Sequence, residues 1–149
     1  MAAFLKDGGF VYQYGTTPGR GGNAFISRVR ERDIRNLGEY EYWNGREWKK
    51  GDVNAATPIA SGVGELSVQY NQFLGQYVML TTDPFNSVVM RKAPSPVGPW
   101  SPPQVLIDTR ELPTAYAPSI YPYQTGSDLY FLTTIHSQYN VVLMKTSLG

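Results

Sequence analysis

Three segments of this chain share one pattern, and this internal repeat restricts the possible folds more than any other feature of the sequence. Each segment is a run rich in aromatic and β-branched residues that ends in Thr-Thr, which is typical of a buried β-strand. The segments lie at residues 10–17, 76–82 and 128–134. A shorter strand pattern precedes each one across a turn that contains glycine or asparagine, and this arrangement indicates a β-hairpin.

Further strands are predicted after each hairpin. A third strand is expected at 24–29, 87–91 and 140–144, and a fourth, outer strand at 40–48 and 100–107. Trp43 and Trp100 are both expected on this outermost strand, whereas the third repeat stops without one. Four-stranded antiparallel meanders that recur about every fifty residues are typical of β-propeller blades.

The sequence therefore predicts an all-β chain that forms a partial β-propeller of three antiparallel blades, the last without its outer strand. We expect a single domain over residues 1–149, with blades at about 2–55, 60–112 and 115–147. A β-sandwich with the same number of strands is the alternative, but the repeated strand order favours the propeller. Because propellers typically contain about four to eight blades, we expect either a fragment of a larger ring or a protomer that pairs with its own copies.

Composition excludes several classes of function. The net charge is +1 and no basic stripe is visible, so nucleic acid is not an expected partner. The chain has no cysteine and only one histidine, which predicts neither a metal site nor a bound cofactor. No apolar segment approaches the length needed to span a membrane, and the first residues do not form a secretory signal.

Several short motifs resemble those of an actinobacterial family, domain of unknown function 4185. They are GVGELSVQYN at 62–71 followed by LGQYVM at 74–79, with YGT at 14–16, YEYW at 40–43, GPWS at 98–101 and YNVVLM at 139–144. This family is connected with glycoside hydrolase family 183, whose members are endo-D-arabinofuranases that act on mycobacterial-type cell-wall arabinan. The resemblance spans Ala2 to Met144 and implies the later blades of a five-bladed propeller.

The same resemblance implies a function. It suggests a portion of a glycoside hydrolase that cleaves an arabinofuranosyl polysaccharide, located outside the cell or in the cell envelope. The chain alone is expected to be weak or inactive, because a second catalytic carboxylate would lie on another blade. A propeller that binds carbohydrate without cleaving it, or one that binds a protein partner, remains the alternative.

Glu65 is the candidate catalytic residue, because reactive groups in propellers of this kind lie on the innermost strands. It opens the second inner strand after a Gly-Val-Gly segment that would let a substrate approach closely. Glycosidases use a carboxylic acid and a carboxylate on either side of the scissile bond, and Glu65 is the candidate acid. The alternative is that Glu65 only accepts hydrogen bonds from the backbone or from an arginine.

Four further residues are candidates for substrate binding. Arg20 lies on a glycine-rich loop from which its guanidinium could reach a sugar hydroxyl, although an exposed loop without function is equally consistent. Tyr116 and Tyr121 flank the third inner strand, where either ring could stack on a sugar or pack in the core. Asn71 could contact substrate but is expected chiefly to cap a turn, and His136 is expected on the surface.

Overall fold

The structure, a computed structural model, describes residues 1–149 and is an all-β partial propeller of thirteen strands in three antiparallel sheets. The first sheet contains β1 (Ala2–Asp7), β2 (Phe10–Thr16), β3 (Asn23–Arg30), β4 (Glu41–Trp43), β5 (Trp48–Lys50) and β6 (Ala60–Ser61). The second contains β7 (Leu66–Asn71), β8 (Gln76–Thr82), β9 (Val88–Ala93) and β10 (Gln104–Ile107). The third contains β11 (Ala115–Ile120), β12 (Asp128–Ile135) and β13 (Asn140–Ser147).

Each sheet is a meander in which consecutive strands pair side by side. The predicted partial propeller is confirmed, including a third sheet that has three strands where the second has four. Strand β6 pairs with β3 and extends the first sheet to Ser61, beyond the boundary near residue 55 expected from the sequence. The only helices are single 3-10 turns at Glu31–Asp33, Leu37–Glu39 and Val53–Ala55, and no helix is long enough to cross a membrane.

The second sheet is covered on both faces, and β8 shows this most clearly. Successive side chains of a strand point to opposite faces. Met79 packs in the cluster shared with the first sheet, whereas Val78 and Leu80 pack in the cluster shared with the third. From Tyr77 to Thr82 every residue of β8 is buried. This double burial explains why β8 is a nearly continuous apolar run, without the alternation of a half-exposed strand.

The interface between the first and second sheets is rich in aromatic side chains. Tyr14 is fully buried on β2 and its hydroxyl donates a hydrogen bond of 2.9 Å to the carbonyl oxygen of Pro96. Burial also raises the pKa of Tyr14. The ring of Trp100 meets Tyr14 edge-on, with 6.4 Å between centroids. Buried aromatic pairs of this kind contribute about 0.5–1.5 kcal/mol beyond the area they bury.

Neither Trp43 nor Trp100 lies on the outermost strand of its sheet, where the sequence predicted them. Trp43 lies on β4 of the first sheet, but β5 is paired outside it. Trp100 precedes β10, which begins only at Gln104. The segment between Val97 and Pro103 is a proline-containing loop that is not part of a strand. Trp100 therefore contributes to the core from a loop and not from an outer strand.

The two outward faces of the sheet stack remain exposed. On the first sheet, the side chain of Phe4 is 63% exposed. On the third sheet, Leu132 pairs with Leu143, and both side chains are exposed on the face that points away from the second sheet. Apolar side chains in such a row are normally covered by a neighbouring layer.

The first strands of the three sheets, β1, β7 and β11, lie side by side and run in the same direction. Arg20, on the loop beside the start of β1, contacts Glu65 at the start of β7. At the other end, Asp7 of β1 accepts a hydrogen bond from Tyr77, the partner of Tyr70 at the end of β7. We call the end where these strands begin the glutamate end, and the end where they turn into hairpins the hairpin end.

Candidate functional site

A cleft of about 500 Å³ lies along the three inner strands. Residues 2–4, 65–69 and 117–120 line it, together with Pro122. Its walls are built mainly from small or apolar side chains, and Glu65 is the only carboxylate among the lining residues. The sequence therefore placed Glu65 on the correct surface, at the opening of the inner strands.

Glu65 lies immediately before β7 and forms an ion pair with Arg20. The distance from Arg20 Nε to Glu65 Oε2 is 3.4 Å. The Oε2 atom is closed off from solvent but accepts no hydrogen bond, while the side chain as a whole is 24% exposed. A carboxylate oxygen in this state has unused hydrogen-bonding capacity, which a hydroxyl group of a ligand could satisfy.

Gly64 allows Arg20 to lie this close to Glu65. A Cβ atom at position 64 would stand 2.9 Å from Arg20 Cγ and 2.7 Å from the carbonyl oxygen of Thr82. That carbonyl accepts a hydrogen bond of 2.9 Å from the Gly64 amide, so the backbone there is fixed. Only glycine leaves room for both contacts, which explains why the second glycine of the Gly-Val-Gly segment is needed.

Asn86 holds the other side of the Arg20 guanidinium. Its side-chain oxygen accepts a hydrogen bond from Arg20 Nη1. Asn86 has a φ of 65°, a left-handed conformation that asparagine tolerates better than most residues. The turn is fixed by Asp83, whose Oδ1 accepts hydrogen bonds from the amides of Phe85 and Ser87 at 2.9 and 2.8 Å. Three separate loops thus meet at Arg20.

Two threonine hydroxyls at the glutamate end are also without hydrogen-bond partners. Thr16 is the last residue of β2 and Thr82 is the last residue of β8, and the Oγ1 atom of each is buried and unpaired. Most buried polar atoms in proteins are paired, so these oxygens retain hydrogen-bonding capacity at this end; Thr57 Oγ1, Arg91 Nε and Trp100 Nε1 are also unpaired, outside this group.

Asn71 and Tyr121 lie at the hairpin end, away from Glu65. Asn71 is buried, and its Oδ1 accepts a 2.9 Å hydrogen bond from the amide of Leu74, so it caps the β7–β8 turn. Tyr121 follows β11, is 44% exposed, and meets Tyr123 edge-on at 5.9 Å. Neither residue lines the cleft that contains Glu65.

Tyr116 lies near the start of β11, on the glutamate end. Its half-buried ring contacts His136 with 6.0 Å between centroids. Of the four residues predicted to bind substrate, the structure brings Arg20 to Glu65 and Tyr116 to the same end. His136 is exposed, as expected.

No group of three or more histidine, aspartate or glutamate residues is placed so that it could hold a metal ion. The charges at the site are therefore those of the Arg20–Glu65 pair. Sequence reasoning did not identify Asn86 or Tyr139 as part of this end of the molecule. An asparagine in a short turn after Asp83 was a usable local signal, because asparagine favours left-handed turn positions.

The fold is similar to that of known polysaccharide-cleaving enzymes. The exo-β-1,3-galactanase 1,3Gal43A from Clostridium thermocellum superposes with a TM-score of 0.65 at 15% identity, covering 99% of this chain and 34% of that enzyme. An exo-β-1,3-galactanase from Phanerochaete chrysosporium gives a TM-score of 0.55 at 14% identity, with 99% and 38% covered. At this level of identity the likeness establishes the fold.

Sequence comparison gives relatives and a family. Notoamide biosynthesis cluster protein J from an Aspergillus species (strain MF297-2) is 30% identical over 144 residues, which is 90% of this chain and 38% of that protein. A related protein J' from Aspergillus versicolor is also 30% identical. The chain thus spans less than half the length of these relatives. The family described as domain of unknown function (DUF4185) matches residues 1–145, and this chain belongs to that family.

Proposed function

We propose that this chain is part of a glycoside hydrolase and that Glu65 supplies one of its two catalytic carboxylates. The observation that carries the proposal is the position of Glu65, which is the only carboxylate in the cleft and has a buried oxygen without a hydrogen bond. The fold shared with two galactanases supports this proposal. The missing partner carboxyl group would come from outside these three sheets.

The ion pair affects how the Glu65 carboxyl group is held. Arg20 places a guanidinium beside Glu65, with its Nε atom 3.4 Å from Oε2, and can hold the carboxyl group in one orientation. Arg20 stabilises a negative charge through its charge-assisted contact. Glu65 would take one of the two carboxyl roles of a glycosidase, and the partner carboxyl group would take the other.

The proposed substrate class is a furanose-containing polysaccharide such as arabinan. It follows from the resemblance of the segment 62–71, which contains Glu65, to domain of unknown function 4185, a family connected with glycoside hydrolase family 183. The cleft is lined mainly by small and apolar side chains, with Glu65 as its one charged group, which suits a neutral sugar chain. Such a substrate would place the protein outside the cell or in the cell envelope.

The test is a Glu65→Gln variant of the full-length protein, assayed for release of reducing ends from arabinogalactan. Removing a catalytic base or acid typically costs at least about a hundredfold in rate, so we expect a loss of that order. Glu111→Gln is the matched control, because Glu111 is exposed and lies outside the cleft. Cleavage that survives Glu65→Gln unchanged would remove the catalytic assignment.

A carbohydrate-binding protein without catalytic activity is the second candidate. The Arg20–Glu65 ion pair favours it, since such a pair can also serve only to hold two loops together. In that case arabinogalactan would bind the full-length protein with no release of reducing ends from either wild type or variant. Binding with turnover that depends on Glu65 would exclude this candidate.

The exposed outer faces suggest that further blades cover this sheet stack. Exposed apolar side chains lie on both outward faces, Phe4 on the first sheet and the Leu132–Leu143 pair on the third, and the matching relatives are more than twice as long as this chain. We expect the blades of a longer parent polypeptide to cover these faces. Light scattering on the isolated chain would show a monomer or polydisperse association in that case, whereas a uniform dimer would indicate self-pairing.

A further inference from the structure

Three aromatic rings form a cluster at the glutamate end of the third sheet, outside the cleft. Tyr116 projects from β11, while His136 and Tyr139 lie on the loop between β12 and β13. The Tyr116 and His136 rings meet at 6.0 Å and 64°, and the His136 and Tyr139 rings at 5.3 Å and 46°. We call these three residues the aromatic cluster.

The cluster is open to solvent. Tyr139 is 75% exposed and His136 is also exposed, although each ring has another ring within contact distance. Isolated exposed aromatic side chains are ordinary, but three contacting rings at one site are not explained by burial of the core. The arrangement presents ring faces and edges to the surrounding water.

The backbone around the cluster adopts unfavourable conformations. Thr114, Ala117 and Tyr139 have positive φ angles of 67°, 52° and 53°, and they are three of the four non-glycine residues in the chain with this geometry. Such conformations are unfavourable for residues that carry side chains, and they tend to concentrate at ligand-binding sites. Ala117 lies in an irregularity of the pairing between β11 and β12, just after Tyr116.

Hydrogen bonds hold this strained backbone in place. The His136 amide donates to the carbonyl oxygen of Thr114 at 3.1 Å. The Thr114 hydroxyl donates to the Ser137 hydroxyl at 3.3 Å, and the Ser137 amide donates to Thr114 Oγ1 at 3.4 Å. The loop that carries two rings is thus tied to the strand that carries the third. The relative positions of the rings are fixed before any ligand arrives.

The two segments that carry the cluster are polar and lack formally charged side chains. Segments 112–117 and 133–144 contain no lysine, arginine, aspartate or glutamate. They do contain hydroxyl and amide groups, including those of Ser137, Gln138 and Asn140. A nucleic acid would require cationic partners, and a phosphorylated or acidic ligand would do so as well. Rings beside neutral hydroxyl and amide groups suit a neutral, polyhydroxylated ligand.

We propose that the aromatic cluster is a binding subsite for one ring of a neutral saccharide chain, separate from the cleft that contains Glu65. The inference deepens the proposed function and rests on it, because a polysaccharide reaching Glu65 would extend over the same end of the molecule. The C–H face of the sugar stacks on Tyr139 and His136, and its hydroxyl groups bond to the neighbouring polar side chains. The subsite binds substrate and takes no part in bond cleavage.

The single histidine makes this proposal directly measurable. Because His136 is the only histidine of the chain, its ring Hε1 signal in a proton NMR spectrum is unique. Arabinohexaose, and β-1,3-galactotriose as a second probe, would be titrated at constant pH. We expect a saturable shift of the His136 signal with at least one of these sugars.

Two tyrosine variants provide the comparison. Tyr139→Ala removes an exposed ring and should weaken binding about tenfold, the equivalent of one aromatic stacking contact. Tyr123→Ala removes a ring that is 84% exposed at the hairpin end, and it should leave binding unchanged. A His136 signal that does not move with either sugar, or binding that Tyr139→Ala leaves intact, would overturn the subsite.

The outcomes separate this inference from the proposed function. Glu65-dependent cleavage together with a silent His136 signal would contradict the subsite and leave the hydrolase standing. A sugar-dependent His136 shift without any cleavage by the full-length protein would support the subsite and contradict the hydrolase.

Discussion

The two ends of the inner strands differ in backbone strain and in the hydrogen bonding of their buried polar groups. At the hairpin end, the positive φ angles of the tight turns fall on Gly8, Gly9 and Gly75, where they cost little. At the glutamate end, positive φ angles also fall on Asn86 and Thr114, which carry side chains. Strain at one end and its absence at the other suggest that only the glutamate end is shaped by something other than folding.

Polar groups show the same contrast. At the hairpin end, Asp7 accepts a 2.7 Å hydrogen bond from Tyr77, and Gln69 Nε2 donates to the carbonyl oxygen of Ile120 at 3.3 Å. At the glutamate end, two buried threonine hydroxyls have no partner, and the buried Glu65 Oε2 has only its ion pair with Arg20. Asp7, Tyr77 and Gln69 are thus hydrogen-bonded, whereas the buried oxygens at the glutamate end retain hydrogen-bonding capacity for a ligand.

The largest effect is expected from Gly64→Ala. The added methyl group would meet the Thr82 carbonyl and the Arg20 side chain, and the backbone would have to move. We expect the free energy of unfolding to fall by about 3 kcal/mol, and cleavage of arabinogalactan to fall with it as Arg20 shifts. Urea unfolding and the reducing-end assay measure the two effects. Gly21→Ala is the control, since nothing lies within 4 Å of a Cβ there.

A smaller effect, confined to stability, is expected from Tyr77→Phe at the hairpin end. The change removes the hydrogen bond to Asp7 and should lower the free energy of unfolding by about 2 kcal/mol, with no change in sugar cleavage. Unfolding in urea and the same assay would be compared. Loss of activity without loss of stability would reverse the proposed division between the two ends.

Tyr77 also predicts a pH dependence. Burial and the hydrogen bond to Asp7 raise the pKa of its hydroxyl, so the folded state favours the neutral form. This contribution is fully present below the ordinary tyrosine pKa of about 10 and is lost as the pH rises beyond it. Urea unfolding between neutral and strongly alkaline pH should show that wild type loses stability more steeply than Tyr77→Phe.

The two smallest effects should have opposite signs. Gly75→Ala forces a side chain into a φ of 62° and should cost about 1 kcal/mol of stability without affecting activity. Asn86→Gly relieves a φ of 65° and should gain about 0.5 kcal/mol, but it removes the hydrogen bond to Arg20 and should reduce cleavage several-fold. A stabilised Asn86→Gly variant with full activity would contradict the hypothesis that the strain at Asn86 serves the function of the site.

The sequence predicts the sheets well because their signals are local. The buried run of β8 and the glycine turns before each central strand follow from neighbouring residues alone. Trp100 was predicted on the outer strand because the residues just before β10 resemble the start of a strand. In the structure, the position of Trp100 depends on packing against Tyr14, which is distant in the sequence.

The site was only partly predictable, for a physical reason. Glu65 could be placed at the start of an inner strand, but its ion pair with Arg20 joins two sheets and depends on how they stack. The aromatic cluster likewise brings Tyr116 to residues some twenty positions later through the pairing of β11 with β12. Contacts between distant segments of this kind leave no periodic signal in the chain.

The most direct test of the difference between the two ends is a map of backbone amide signals by NMR during titration with arabinohexaose. If ligands bind at the glutamate end, the amide signals of Arg20, Gly64, Asn86 and Tyr139 will shift, while those of Asn71 and Gly75 will not. Shifts concentrated at the hairpin end would contradict ligand binding at the glutamate end, and so would a spectrum that the sugar leaves unchanged.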